Sequence, residues 1–385
     1  MSNKLSYVLV TPYTVAKSRV GGVIARLLSQ TDLELAGAQM FAPGKDFAAA
    51  YAKSLRAQAK GEVSFLADYV EQNFTAAGNE NCRALFLLFK GEEPCKKLAA
   101  ICGHLHPEHK SKMEEIQGQS IRDTYADLIV DPKEPEKFVY FEPAVLTPRT
   151  QEEADINLKI FLPHLKSAGN IIEGFSYPAG AKVERTLVII KPDNWTYSSS
   201  RPGTIIDMFS RTGLRIIGIK VHNFSLAEAL DFYGPVEDAL KSKLAPVFGK
   251  KARSLLEHEF GIPLTEETEK ALSDSFGVEY ARDQFEQIVE FMSGHRPGKT
   301  ESRQVKCMIL IYEGDGAIGK IRDVLGPTDP LKAPGGTIRR EFGSNVMVNT
   351  AHASDAAESF EREKKIVGIN ENTTAAIIAE YLGQR

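Results

Sequence analysis

The chain has 385 residues, 43% of them hydrophobic and 25% charged, with a formal net charge of −4. That length exceeds what one ordinary domain needs, so two domains are expected, and the composition is that of a globular protein. The mild negative charge excludes the electrostatic footprint of a nucleic-acid binder, and no apolar run is long enough to span a bilayer.

The amino terminus, MSNKLSYVLVTP, lacks the apolar segment and cleavage site of a secretory signal. The spacings of Cys82, Cys95, Cys102 and Cys307 fit neither a zinc ribbon nor a C-x-x-C pair, so reduced thiols and a cytoplasmic location are expected. His104, His106 and His109 lie near Cys102, but Pro107 and the lack of helical i, i+4 spacing make that stretch a solvated loop. No protein-borne metal site is expected.

Three stretches recur in order along the chain. SYVLVTP at the start pairs with TLVIIKP at Thr186–Pro192, FKGEEPCKKLAAICGHLHP at Phe89–Pro107 with YEGDGAIGKIRDVLGPTDP at Tyr312–Pro330, and GQSIRDTYADLI at Gly118–Ile129 with GGTIRREFGSNV at Gly335–Val346. A tandem duplication is the simplest account. In the second half, Thr186–Ile190 reads as a buried strand, Thr204–Thr212 as a helix closed by Gly213, and Leu214–Val221 as a strand. Ser225–Ser293 is mostly helical, Cys307–Tyr312 a strand, and Ala317–Leu325 a helix ending at Gly326. A Pro- and Gly-rich loop follows, then a fourth strand at Asn345–Asn349 and a last helix with a capping box from Asp355 and Glu358.

The order β-α-β, helical segment, β-α-β is the ferredoxin-like split β-α-β plan. The expected fold class is α+β, with two tandem four-stranded antiparallel sheets, each carrying helices on one face. Residues 1–168 form the first domain, 169–182 a linker, and 183–385 the second domain, with a long helical insertion at about 234–281.

His352 lies between a strand end and a helix start, where an imidazole is presented from a sheet edge. Neutral, it is a competent nucleophile towards phosphorus. Lys191, Arg322 and Arg339, with the hydroxyl of Thr328, stand where this plan can bring them to one end of the sheet. Cations around an imidazole make a phosphate cradle. The bland reading of each residue taken singly is a solvated charge or a surface histidine.

Residues Val183–Gly368 resemble the nucleoside diphosphate kinases. The resemblance rests on Ile190-Lys191-Pro192-Asp193, Phe232-Tyr233, Glu313-Gly314, Arg322 with Val324-Leu325-Gly326, Thr328-Asp329-Pro330, Gly336-Thr337-Ile338-Arg339 and Asn349-Thr350-Ala351-His352-Ala353-Ser354-Asp355. It implies transfer of the γ-phosphoryl of a nucleoside triphosphate such as ATP to a nucleoside diphosphate, through a phosphohistidine, with Mg²⁺ on the nucleotide phosphates. It implies His352 as nucleophile, Glu363 as the carboxylate orienting it and Ser354 as the support of that carboxylate. Lys191, Arg322, Thr328 and Arg339 are then phosphate ligands, Tyr233 a neighbour of the nucleophile, and Asn349 a ribose contact shared with Lys191. Phe285 is the expected base-stacking residue, although strict spacing puts Gln284 there.

The chain departs from the family where NWTYSSSRPG follows Asp193 and in the long Gly234–Ala281 segment. The first half departs further. Thr11, Ala99, Leu105 and Thr147 stand for Lys191, Arg322, Thr328 and His352, and only Arg122 keeps a phosphate-ligand type. The first half is therefore expected to be an inactive partner, packed on the second as an intrachain pseudo-dimer within a possible larger homo-oligomer. The alternative reading is a catalytically weak nucleotide-sensing or scaffolding protein.

Overall fold

The computed structural model describes residues 4–58, 64–76, 81–104, 120–134 and 138–383. Leu105, His106 and His109 lie outside them. In the first half, β1 (Lys4–Val10), α1 (Pro12–Ala16), α2 (Val20–Ser29), β2 (Glu34–Phe41), α3 (Lys45–Gln58), α4 (Ser64–Asn73), β3 (Ala84–Gly91) and α5 (Pro94–Cys102) precede α6 (Ile121–Tyr125). Then come a two-stranded ribbon of β4 (Asp127–Val130) and β5 (Phe138–Glu142), the short β6 (Val145–Leu146) and α7 (Gln151–Ser167). The second half holds β7 (Val183–Ile190), α8 (Arg201–Ser210), β8 (Arg215–His222), α9 (Leu226–Phe260), α10 (Glu266–Leu272), α11 (Val278–Ser293) and β9 (Cys307–Asp315). It ends with α12 (Ala317–Leu325), α13 (Ile338–Phe342), β10 (Ala351–Ala353), α14 (Ala357–Ile366) and α15 (Thr373–Gly383).

The four-stranded sheets have orders β2-β3-β1-β6 and β10-β7-β9-β8, the same antiparallel topology twice. The repeat extends to backbone detail. Gly91 and Gly314 have φ 157° and 155°, and Gly103 and Gly326 both have φ 83°. A leucine packs on each of the first two glycines, Leu33 on Gly91 and Leu214 on Gly314.

The chain divides into two compact units. One holds both sheets. Alternation along β1 sends Val8 and Val10 to one face and Leu5, Tyr7 and Leu9 to the other. The first face joins Val188, Ile190 and Met308 of the second sheet in one continuous core. Helices α2 and α8 cross there at Gly21 and Gly203. A methyl group on Gly203 would sit 2.3 Å from the Ala25 nitrogen, so only hydrogen lets the backbones approach this closely. Residues between the halves lie along β8, with the Ile172 N–H donating to the Ile217 carbonyl at 2.9 Å.

Three sequence expectations need correction. The first sheet is covered on both faces, because α3, α4, α7 and the carboxy-terminal α15 bury its second side. The fourth strand is Ala351–Ala353 and not Asn345–Asn349. The Asn345 side chain accepts the N–H groups of Met347 and Val348, turning the chain away from a ladder. Helix α14, which starts at Ala357, is not the last helix, because α15 follows it; Asp355 accepts the Ser359 hydroxyl.

The other unit comprises His222–Cys307 with Lys365–Val367. A capping box between Ser225 and Glu228 starts α9, which runs for 35 residues through Pro235 and Pro246. Helix α9 packs on α11 and on the π-turn Ser273–Gly277, where Gly277 lies against the Ala245 backbone. Among the described residues no helix is long and apolar enough to cross a membrane.

Candidate active site

β10 pairs with β7 at only three positions, Ala351 with Ile190, His352 with Ile189 and Ala353 with Val188. This ladder puts the His352 imidazole at the sheet edge, partly exposed, with α14 close behind it. Glu363 comes back from α14, and its Oε1 lies 3.0 Å from His352 Nε2. The Ser354 hydroxyl donates to the other carboxylate oxygen at 2.6 Å. Ser354 and Glu363 are both buried. An anionic carboxylate accepts only, so Nε2 carries the proton and the ring lone pair is on Nδ1.

Lys191 follows β7, and its Nζ donates to Asn349 Oδ1 at 2.7 Å. The Asn349 amide donates in turn to the carbonyls of Thr328, at 3.1 Å, and Val346, at 2.8 Å. One side chain thus ties the lysine to the Pro/Gly loop. The Thr328 side chain itself is exposed. Arg339 reaches across that loop, donating from its two terminal nitrogens to the Gly326 and Ala351 carbonyls, both at 3.0 Å. Arg322 is exposed on α12. The Ser359 hydroxyl, chiefly, holds the Asp355 carboxyl below its usual range, and the charge of Arg322 adds to the effect.

The structure therefore brings His352, Glu363 and Ser354 into one hydrogen-bonded run, and Lys191, Asn349 and the Thr328 carbonyl into another, while Arg339 is bonded separately to the Gly326 and Ala351 carbonyls. Tyr233 and Phe285 belong to the other unit. Tyr233 is buried on α9, its ring 5.1 Å from that of Phe232. Phe285 lies on the buried face of α11 with Ala281, Val289 and Met292, while Gln284 beside it is partly exposed.

The family model described as nucleoside diphosphate kinase matches residues 260–371. A nucleoside diphosphate kinase from Anaeromyxobacter sp. (strain Fw109-5) is 33% identical over 176 residues, which is 46% of this chain and 83% of the relative. The chain belongs to the nucleoside diphosphate kinase family. Another relative of that name, from Polynucleobacter necessarius subsp. necessarius (strain STIR1), is 32% identical over 178 residues, 46% of this chain and 86% of its own. The crystal structure of an NDP kinase from Pyrobaculum aerophilum is 29% identical, with a TM-score of 0.35, over 48% of this chain and 94% of its own.

Within this nucleoside diphosphate kinase-family chain, the first half shows what replaces each group. β6 pairs with β1 as Val145 with Val10 and Leu146 with Leu9, just as Ala351 pairs with Ile190 and His352 with Ile189. The counterpart of His352 is thus Leu146, one residue before the Thr147 expected from sequence. Thr147 instead donates its hydroxyl to the Tyr7 carbonyl at 2.8 Å. At the offset of Glu363 stands Asn157, buried and accepting from Ser54 at 2.8 Å. Arg122 repeats the bonds of Arg339, to the carbonyls of Gly103 and Val145, which gives an arginine a structural use in a half without the histidine. Beside Thr11, the counterpart of Lys191, lies a buried carboxylate, Glu142. It accepts from the Thr11 hydroxyl at 2.6 Å, the Ala144 N–H at 3.1 Å and the Tyr69 hydroxyl. Burial raises its pKa, and those hydrogen bonds oppose the shift.

Two residues with roles here carried little sequence signal. Arg201 and Asn194 hold the turn before β10, and the long run after Asp193 was the only hint of them.

Proposed function

We propose that the second half is a nucleoside diphosphate kinase working by alternate transfer through phospho-His352. The run from Ser354 through Glu363 to His352 carries this reading. MgATP enters with its γ-phosphorus facing Nδ1. The Nδ1 lone pair forms the N–P bond while the bond to the β,γ-bridging oxygen breaks, and ADP leaves with that oxygen. A terminal oxygen of a nucleoside diphosphate then attacks the phosphohistidine, and the electron pair returns to Nδ1. Glu363 balances the positive charge that the ring gains and keeps its proton on Nε2.

Lys191, Arg322, Thr328 and Arg339 serve as phosphate ligands. Phosphoryl transfer needs positioning and charge neutralisation more than covalent apparatus. Asn349 orients Lys191 and meets the ribose. The family resemblance assigns Tyr233 as the neighbour of the nucleophile and Phe285 or Gln284 as the base contact. Mg²⁺ arrives on the nucleotide. Among the described residues no group of three or more His, Cys, Asp and Glu could hold a metal ion. Residues 1–168 act as the inactive partner.

Incubating the full chain with γ-labelled MgATP tests this. An acid-labile phosphoryl adduct is expected, chased by any nucleoside diphosphate, absent in His352→Ala and retained in Thr147→Ala. Nucleotide binding without an adduct would overturn the kinase reading in favour of sensing or scaffolding.

A further inference from the structure

We infer that Arg201, assisted by Asn194, is a positioning residue that sets the His352 ring by clamping the turn at Thr350. The kinetic part of this inference rests on the phosphotransfer reading above.

Thr350 has φ 75°, a left-handed conformation that is strained for a β-branched residue. It is fully buried and lies two residues before His352. Its carbonyl accepts from the Lys191 N–H at 3.0 Å and from the Asn194 amide at 2.8 Å. Its hydroxyl accepts from Arg201 Nη2 at 3.0 Å. The same nitrogen reaches Asp193 Oδ2 at 3.0 Å and the Phe342 carbonyl, at the end of α13, at 2.6 Å. One guanidinium thus joins the turn after Lys191, the helix that carries Arg339 and the residue that launches β10.

The first half separates what belongs to the fold from what belongs to the histidine. Ala144, the counterpart of Thr350, has φ 61°, and its carbonyl accepts from the Thr11 N–H at 3.1 Å. The strained turn is therefore common to both halves. A methyl side chain offers nothing to grip, whereas Thr350 offers a hydroxyl and Arg201 takes it. The side-chain clamp occurs in the half that has the nucleophile. It is needed there because a three-residue strand fixes a ring angle poorly, and phosphoryl transfer depends steeply on that angle.

Three full-length variants test the clamp. Thr350→Val removes the hydroxyl and keeps the shape. Arg201→Lys keeps the charge and loses the fork. Thr350→Ser keeps the hydroxyl. The first readout is ¹⁵N NMR of the His352 ring, assigned by difference against His352→Gln. The parent and Thr350→Ser are expected to show the Nε2–H tautomer, and the other two a mixture. The second readout is the rate of adduct formation at saturating MgATP. A fall of about tenfold to a hundredfold is expected for Thr350→Val and Arg201→Lys, with nucleotide affinity unchanged. Parent-like ring signals in Thr350→Val, or a Thr350→Ser variant as impaired as Thr350→Val, would overturn the clamp. Affinity falling in step with rate would also overturn it, by assigning Arg201 to nucleotide binding. A parent chain that forms no adduct would overturn the kinase reading, and the ring signals would then decide the clamp by themselves.

Discussion

An imidazole that both takes and gives up a phosphoryl group must be a good nucleophile and a good leaving group, so its proton has to stay on one nitrogen throughout. On the proposed mechanism Glu363, hydrogen-bonded to the ring and to the Ser354 hydroxyl, supplies that constraint. Replacing Glu363 by Gln removes the charge. With the Ser354 hydroxyl still donating to the amide oxygen, the NH₂ group turns to the ring and drives the proton to Nδ1. The expected loss is at least about a hundredfold in the rate of adduct formation, by analogy with an amide replacing the carboxylate of a hydrolase triad, and single-turnover labelling measures it. In the first half, Glu142 makes the opposite electrostatic choice. Its pKa is raised on folding, so between the ordinary and the raised value the folded chain binds more protons than the unfolded chain. Stability then falls as pH rises from the ordinary carboxylate range through the raised value, and is recovered as pH falls. Glu142→Gln should be more stable than the parent at neutral pH, with the difference vanishing on acidification. Urea unfolding across pH measures this, and a gap that widens in acid would refute it.

At the level of elements, what could be read in advance was whatever local pattern decides. Helix Ala317–Leu325 with its Gly326 stop was found to the residue, because a glycine at φ 83° is a local demand. β10 was misplaced because Asn345–Asn349 looks more strand-like than Ala-His-Ala. The winning pairing depends on Val188–Ile190, which lie far away in sequence. The same distance hid α15, whose reason for burial is a sheet in the other half. The site was legible through its motif from Asn349 to Asp355. The clamp at Thr350 was not, because Arg201 follows a run that departs from the family's spacing. The contact of α2 with α8 makes a sharp prediction. Gly203→Ala places a methyl against the Ala25 and Gly21 backbone, which cannot yield as a side chain could. A loss of roughly 1–3 kcal/mol or more is expected from denaturant unfolding, against much less for Gly234→Ala, which meets open space.

For the molecule as a whole, the two sheets are halves of one core. Residues 183–385 alone would expose the glycine face of α8 that packs on α2, and the β8 backbone that Ile172 pairs with. Such a fragment is expected to self-associate or to unfold at lower denaturant than the full chain, as read by sedimentation and urea titration. The connection also runs the other way. Ala375 and Ile378 of α15 complete the second core of the first half, and the Tyr381 hydroxyl donates to Asp155 at 2.9 Å. Ending the chain before Thr373 should therefore destabilise the first half more than the second, which hydrogen exchange resolved by segment would show.

That last helix also sets a timetable for biosynthesis. Thr374 bonds to the carbonyl of Ala38, 336 residues earlier. At about 5–20 residues per second, a ribosome makes the first half's strands roughly tens of seconds before the helix that covers their second face. During translation that face, with Leu5, Tyr7 and Leu9, stays incompletely covered. It is the surface on which a nascent-chain chaperone would be expected to wait.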